Sequence, residues 1–317
     1  MKIAFVGKGG SGKTTISALF TRYLSSRNLP VIAIDADINQ HLGSALGFDK
    51  QALEAQPALG VEINQVKEYL RGDNPLITSN AHMAKTTPPG SGSRLLKINQ
   101  DNPLWKYFQL KKNGIRFLAT GPFDKEDLGI KCYHSKTGAV ELILNHLIDS
   151  EKEYIVQDMT AGADSFASGM FTRFDMTFLV AEPTRRGISV FNQYKEYADG
   201  YNISLRVIGN KVEDEEDEKF LQEHVGDALL GCIGRSQFVR KLEKGRYPSY
   251  DTLEKETLTV LENMLHEVDF CKKDWDKFYQ QMIEFHVRNA DSWASKQIGE
   301  DLSKQVDPEF VLSKAVS

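Results

Sequence analysis

The chain has 317 residues, of which 41% are hydrophobic and 26% charged, and its formal net charge is -5. These proportions are typical of a soluble globular protein, and the negative balance gives no general attraction to nucleic acid or acidic lipid. The sequence lacks an apolar run of the ~18 residues that membrane insertion requires, lacks the pattern of a signal peptide, and spaces its cysteines too far apart for a disulfide framework. It therefore predicts a cytoplasmic protein with no nucleic-acid partner.

Short apolar strands alternate with helical patterns through residues 1–235. The strand Lys2–Val6 leads into a glycine-rich loop, and the apolar spacing over Thr15–Ser25 is typical of an amphipathic helix. Further strands are predicted at Gly114–Ala119 and at Val31–Ile34, Tyr154–Gln157, Met176–Val180, Leu205–Ile208 and Leu229–Ile233. This alternation predicts an α/β fold with a mostly parallel sheet and helices on both faces.

Two regions interrupt the alternation. Residues 79–103 are rich in Pro, Gly, Ser and Asn, so we expect a long surface loop there. After Pro248 the strand patterns stop, and two apolar stripes with helical spacing follow. We therefore divide the chain into a first domain, residues 1–247, and a helical C-terminal extension, residues 248–317, that packs on the core. A partner-binding face is the alternative for these stripes.

The segment Gly7–Thr15 reads GKGGSGKTT and fits the phosphate-loop pattern G-x-x-x-x-G-K-[ST]. In such a loop, backbone N–H groups surround phosphate oxygens at the start of a helix. Lys13 would neutralise the β- and γ-phosphates, and the hydroxyl of Thr14 would hold Mg²⁺. The predicted phosphate-binding residues are Gly9, Gly10, Ser11, Gly12, Lys13, Thr14 and Thr15. The pattern does not explain the second lysine, Lys8.

Polar residues follow three of the predicted strands, where carboxyl ends of parallel strands would meet. An aspartate at the end of Tyr154–Gln157 can hold the hydration shell of Mg²⁺, and a glycine beyond it lets the backbone approach a γ-phosphate. An amide after Leu205–Ile208 could read the edge of a base. Helix capping is the alternative role for the carboxylates. The residues singled out in this way are Asp35, Asp37, Asp158, Gly162, Asn210 and Lys211.

Together these motifs resemble the deviant-Walker ATPases, which include MinD, the ParA partition proteins, the nitrogenase iron protein and the arsenite-pump ATPase. Within them, the chain is most similar to the CooC group of accessory ATPases for carbon monoxide dehydrogenase maturation. The resemblance covers residues 1–245 in pieces. The motifs that carry it are GKGGSGKTT at 7–15, DAD at 35–37, DMTAGADSF at 158–166, AEPTRRG at 181–187 and GNKV at 209–212.

The resemblance implies a role for each matching residue. Lys8 matches the signature lysine, which reaches across a nucleotide-sandwich dimer to the phosphates of the partner chain. The alternative is that Lys8 acts only within its own loop or contacts only solvent. Asp37 matches the carboxylate that orients or activates the attacking water, while Asp35 and Asp158 match positions near Mg²⁺. Asn210 matches the adenine-reading amide. DMTAGADSF, hereafter the switch stretch (residues 158–166), matches the segment that senses the γ-phosphate.

Some positions depart from the family pattern. Ile38 stands where a proline often follows the second aspartate, and Glu213 replaces the aspartate of the guanine-reading N-K-x-D, which favours ATP over GTP. Cys132-Tyr133-His134 lies where the CooC group has Cys-x-Cys for a metal shared between subunits. The Cys132 and His134 side chains of two chains would make an S₂N₂ site for Zn²⁺ or Ni²⁺. The alternative is that this pair binds no metal.

The sequence thus predicts an ATP- and Mg²⁺-dependent switch that hydrolyses ATP, forms a homodimer with ATP and acts on an unidentified client protein. Maturation of a metal centre is the role implied by the most similar group. The alternatives are a positioning or partition ATPase of the ParA/MinD type, a binding scaffold with little turnover, and a phosphotransferase or synthetase. A partition protein should carry a basic DNA-binding face or a basic amphipathic helix, which the C-terminal DPEFVLSKAVS does not supply.

Overall fold

The structure, a computed structural model, describes residues 1–122, 133–159, 166 and 168–316, with the side chains of residues 133–135 excepted. The strands, numbered in chain order, are β1 (Lys2–Val6), β2 (Val31–Ala36), β3 (Leu96–Lys97), β4 (Leu110–Lys112), β5 (Ile115–Ala119), β6 (Leu147–Ile148), β7 (Tyr154–Met159), β8 (Met176–Ala181), β9 (Leu205–Asn210) and β10 (Leu229–Ile233).

The helices surround this sheet on both faces. They are α1 (Lys13–Ser26), α2 (Leu42–Ala45), α3 (Lys50–Ala55), α4 (Ile63–Arg71), α5 (Pro103–Phe108), α6 (Tyr133–His146), α7 (Arg185–Ala198), α8 (Glu215–Val225), α9 (Gln237–Glu243), α10 (Lys255–Phe270), α11 (Trp275–Asn289), α12 (Ser295–Ile298) and α13 (Leu312–Val316). A π-helical turn, Ala290–Ala294, joins α11 to α12. None of the helices in the described ranges has both the length and the apolar character needed to cross a bilayer.

The main sheet has the strand order β10-β9-β8-β1-β7-β2-β5-β4, and its pairings are parallel except for the edge strand β4 on β5. The α/β prediction is therefore confirmed, and each strand predicted from the sequence forms. The short antiparallel strand β4 and the small parallel pair β3–β6 were not predicted. Neither is long enough to produce a recognisable apolar pattern.

Alternate residues of β1 pack into two different cores, one on each face of the sheet. Ile3 and Phe5 pack with apolar residues of α1 and α10, whereas Ala4 and Val6 pack with those of α4, α6 and α7. Because β1 lies between β7 and β8, both of its faces are covered. The loop that follows β1 is consequently held by a strand that is buried along its whole length.

The C-terminal extension passes the edge of the sheet opposite the glycine loop. At this edge Lys2 Nζ lies 2.8 Å from Asp149 Oδ1, and Lys273 Nζ lies 2.5 Å from Asp149 Oδ2 and 2.8 Å from Asp175 Oδ2. Burial alone would raise the pKa of Asp149, but Lys2 and Lys273 hold it well below its ordinary value. This buried cluster fixes the start of α11 beside the start of β1, so α10 and α11 reach the two opposite faces of the sheet.

Residues 79–103 do not form the surface loop that we expected, because Met83, Thr86 and Thr87 in the middle of this segment are buried. The hydroxyl of Thr86 lies 3.1 Å from His286 Nδ1, and the hydroxyl of Thr87 donates to Gln305 Oε1 at 3.0 Å. Composition could not show that the C-terminal extension supplies partners for the polar groups of this segment.

The buried His146 generates a prediction about acid stability. It lies on α6 with Nδ1 2.8 Å from the carbonyl of Leu142, and Nε2 has no hydrogen-bond partner among the described residues. Burial lowers the pKa of His146 to about 4. Between pH 6.5 and 4 the unfolded chain therefore binds a proton that the folded chain excludes. The free energy of unfolding consequently decreases by up to about 3 kcal/mol as the pH is lowered through this range. In His146→Gln this part of the loss should disappear.

Urea unfolding at pH 7 and pH 4.5 measures this difference. His224→Gln is the matched control, since His224 has the same ring contact to a carbonyl four residues back, at 2.7 Å, but on an exposed helix. Equal acid destabilisation of the wild type and His146→Gln would contradict the prediction.

Candidate nucleotide-binding site

The glycine loop between β1 and α1 is shaped by close contact with the end of β9. Gly12 has φ of +95°, and a Cβ placed there would lie 2.1 Å from Asn210 Nδ2. The Asn210 amide donates to the carbonyl of Ser11 at 2.7 Å. Glycine at position 12 therefore meets both a backbone and a packing requirement.

Lys211 also holds the loop. Its Nζ donates to the carbonyl of Gly10 at 2.7 Å and lies 2.5 Å from Glu182 Oε1 at the end of β8. The Asn210-Lys211 pair, singled out from the sequence as a base reader, thus carries two of the contacts that fix the phosphate loop. Its role with the base stays a prediction.

Lys13 and Asp37 lie together at the carboxyl edge of the sheet. Lys13 Nζ is 3.9 Å from Asp37 Oδ2, and both side chains are largely buried. The other oxygen, Asp37 Oδ1, accepts hydrogen bonds from the backbone N–H and the side-chain amide of Asn39, both at 2.9 Å. Asn39 therefore fixes one oxygen of this carboxylate and leaves the second beside the lysine, an arrangement that the sequence motifs did not predict.

Thr14 and Asp158 form the second pair of the site. The hydroxyl of Thr14 donates to Asp158 Oδ2 at 2.5 Å, and Asp158 Oδ1 has no hydrogen-bond partner among the described residues. Burial raises the pKa of Asp158 to about 7, against the lowering effects of Thr14 and Lys13. A hydroxyl beside a buried carboxylate with a free oxygen suits a hard cation such as Mg²⁺. Thr14 and Asp158 therefore fit the predicted metal position.

Asp35 lies beside Asp158 in the register of β2 and β7. Its Oδ2 accepts from the N–H of Leu42 at 2.8 Å, and its Oδ1 accepts from the N–H of Asp37 at 3.2 Å. Burial and the neighbouring Asp158 raise its pKa well above the ordinary value. Asp35 therefore organises the turn between β2 and α2, and its place near Mg²⁺ stays a prediction.

Lys8 differs from the other residues of the loop because it is exposed. Its carbonyl accepts from the N–H of Ser11 at 3.1 Å, while its side chain forms no hydrogen bond or ion pair within the part of the chain that the structure describes. Gly9 and Gly10 are exposed beside it. The outer part of the loop is thus open, whereas Lys13 is enclosed.

A groove of about 480 Å³ opens beside the start of α1. Thr14 and Thr15 line it on one side, and Val239 and Leu242 of α9 line the other together with Tyr247. Its size and mixed apolar and polar lining suit part of a small ligand. Because these α9 residues carry no motif, they could not be recognised as part of the site from sequence. A larger cavity of about 760 Å³ between α4 and α5 contains none of the predicted residues, and we assign the site by its chemistry.

The predicted transition-metal pair and one predicted glycine cannot be placed. Cys132 and Gly162 lie outside the described residues, as does the side chain of His134. Within the described ranges, His, Cys, Asp and Glu side chains form no group of three or more that could hold a metal ion, so nothing there supports Zn²⁺ or Ni²⁺. Mg²⁺ at a phosphate loop needs fewer protein ligands because phosphates and waters supply the rest.

A parallel sheet whose central strand leads into this loop, with a lysine, a hydroxyl and carboxylates at the strand ends, defines a P-loop nucleotide-binding protein. The family model described as the CobQ/CobB/MinD/ParA nucleotide binding domain matches residues 3–248. The chain belongs to this family. The match ends where we place the start of the C-terminal extension.

Two relatives in sequence align with most of this chain and with most of their own length. The carbon monoxide dehydrogenase accessory protein CooC of Rhodospirillum rubrum is 27% identical over 253 residues, which cover 79% of this chain and 90% of the relative. An uncharacterized ATP-binding protein of Methanocaldococcus jannaschii is 28% identical over 248 residues, which cover 77% of this chain and 88% of the relative.

Solved structures agree with the fold. A ParA family ATPase from Chlorobium tepidum has a TM-score of 0.57 at 15% identity, covering 84% of this chain and 98% of its own. The cell division ATPase MinD of Pyrococcus furiosus has a TM-score of 0.53 at 17% identity, with the same coverage. At these identities the similarity establishes the fold alone.

The packing of Gly12 generates a second prediction. Gly12→Ala should lower the stability of the nucleotide-free protein by about 1–3 kcal/mol, because alanine is strained at this φ and its methyl group meets Asn210. Thermal unfolding without nucleotide measures the loss. Gly9→Ala is the control, since a Cβ at position 9 has no heavy atom within 4 Å and no unusual φ is present. Equal stability of the two variants would contradict this description of the loop.

Proposed function

We propose that this protein is an ATP-hydrolysing switch that closes as a homodimer around Mg-ATP and reopens after hydrolysis. The observation that carries the proposal is the contrast between two lysines of one loop. Lys13 is enclosed beside Asp37, while Lys8 is exposed and makes no side-chain bond with the described residues. An exposed lysine at the mouth of a phosphate site is available to a second subunit.

The chain's own groups divide the work of hydrolysis. The N–H groups of the phosphate loop and Lys13 hold the phosphates, and Mg²⁺, when bound at Thr14 and Asp158, neutralises charge on the β- and γ-phosphates. Asp37, held at one oxygen by Asn39, orients the attacking water with the other. Lys8 of the partner then stabilises the charge that develops on the γ-phosphate.

Adenine is the base that the end of β9 favours. The carboxylate that would accept from guanine in an N-K-x-D motif is replaced by Glu213, whose Oε1 lies 2.5 Å from Arg235 Nη2 on the exposed surface. This ion pair gives the Glu213 carboxylate a protein partner in place of a guanine base. We therefore propose ATP as the nucleotide.

The client that we propose is a metalloenzyme in maturation. The support is the sequence similarity to a carbon monoxide dehydrogenase accessory protein, which extends over most of both chains. The ParA and MinD structures support the alternative, a positioning ATPase, only through the shared fold. We therefore favour the accessory role.

The Asp37→Ala variant tests the switch. Without this carboxylate, hydrolysis should stop while the phosphate loop still binds nucleotide, so the closed state should accumulate. Light scattering should give the mass of a dimer with Mg-ATP and of a monomer with Mg-ADP.

Lys13→Ala is the control, because it removes a phosphate contact and should give one mass with both nucleotides. Phosphate release by the wild type must also exceed that by Asp37→Ala. Equal phosphate release would indicate a binding scaffold and contradict the proposed switch. A mass of Asp37→Ala that is the same with both nucleotides would exclude ATP-driven dimerisation.

A further inference from the structure

The backbone that follows the switch stretch lies directly on a helix of the C-terminal extension. In this post-switch turn (Ser168–Arg173), Gly169 has φ of +84°, and a Cβ placed there would lie 2.1 Å from Cγ of Phe285 on α11. Only glycine lets the main chain approach the ring this closely. The turn and α11 are therefore in direct contact at this point.

Aromatic contacts extend the connection on both sides of Gly169. The ring of Phe171 lies 5.7 Å from Phe285 and 5.1 Å from Tyr201, in nearly perpendicular orientations. Phe166, the last residue of the switch stretch, lies 4.8 Å from Phe171 and 4.7 Å from Tyr194 on α7. The end of the switch stretch is thus packed in the same aromatic cluster as the extension.

Hydrogen bonds of the neighbouring residue hold Phe285 in place on α11. The adjacent His286 is buried, with Nδ1 3.1 Å from the hydroxyl of Thr86 and Nε2 2.9 Å from the carbonyl of Leu302. At the other end of the post-switch turn, the buried Arg173 donates from Nε to Asn145 Oδ1 at 2.7 Å. Held in this way, the ring of Phe285 can position the post-switch turn that packs against it.

We infer that Phe285 is a positioning residue for hydrolysis and that the C-terminal extension is part of the nucleotide switch. The inference rests on the proposed function. The switch stretch begins at Asp158, bonded to Thr14 in the phosphate site, and ends at Phe166, packed near Phe285. Close-packed contacts of this kind pass small displacements on as changes between discrete arrangements. The family match ends at residue 248, so this contact is an addition to the common domain.

Phe285→Leu tests the inference, with Phe278→Leu as the matched control. Both phenylalanines lie on α11 and are nearly equally buried, at 8% and 6% exposure, but Phe278 packs with Ile148, Met282 and Leu312. Phe285→Leu should lower kcat for ATP about three- to thirtyfold and change KM by less than about twofold. Phe278→Leu should lose comparable thermal stability and keep the wild-type kcat.

The double variant Gly169→Ala/Phe285→Leu makes the test specific. Gly169→Ala alone should lower kcat because its methyl group displaces the ring. In the double variant the smaller leucine leaves room for the methyl group, so the loss should be less than the product of the single losses. Multiplicative losses would show that the two positions act separately.

Amide hydrogen exchange gives a readout that does not need turnover. In Asp37→Ala, protection of α11 should differ between Mg-ATP and Mg-ADP, and Phe285→Leu should reduce this difference. If the wild type hydrolyses ATP but both phenylalanine variants keep or lose kcat alike, the inference is overturned. Identical exchange of α11 with both nucleotides also overturns it. A wild type that does not hydrolyse ATP would instead count against the proposed function.

Discussion

The parallel pairing of β1, β7 and β2 is the constraint on which the site depends. This register places Phe5 of β1 and Asp35 of β2 beside Asp158 of β7, so carboxylates from two strands end next to the loop that leaves β1. Asp35 and Asp158 are buried at these strand ends, and burial therefore raises the pKa of both aspartates. A bound cation would favour their ionised forms, which links nucleotide binding to the packing of the sheet itself.

The end of β9 completes this arrangement from the other side. Asn210 and Lys211 bond to carbonyl groups of the phosphate loop, which fixes the loop's shape without nucleotide. The phosphate-binding N–H groups are consequently organised before a ligand arrives, so little ordering is left for binding to accomplish. The side chain of Lys8 differs from the rest of the loop because it is exposed. It is therefore available to the nucleotide of a second subunit in the proposed dimer.

Much of this site could be predicted from sequence because its residues lie next to strand ends in recognisable motifs. Lys13, Thr14, Asp37 and Asp158 come together as predicted, since parallel strands bring their carboxyl ends to one edge. The burial of Thr86 was missed because its partner is 200 residues away in sequence. The contact of Gly169 with Phe285 could not be predicted from sequence either, because one glycine in a turn does not reveal which side chain approaches it. Long-range packing of this kind has no periodic pattern.

The central claim, that Lys8 acts on the nucleotide of a second subunit, is tested most directly by mixing two inactive variants. Lys8→Ala and Asp37→Ala each lack one group, and a mixed dimer contains one complete site if Lys8 acts across the interface. Equal amounts of the two should therefore recover about a quarter of the wild-type rate of phosphate release, because random pairing makes half the dimers mixed and each has one working site of two. A mixture as inactive as the separate variants would contradict the claim.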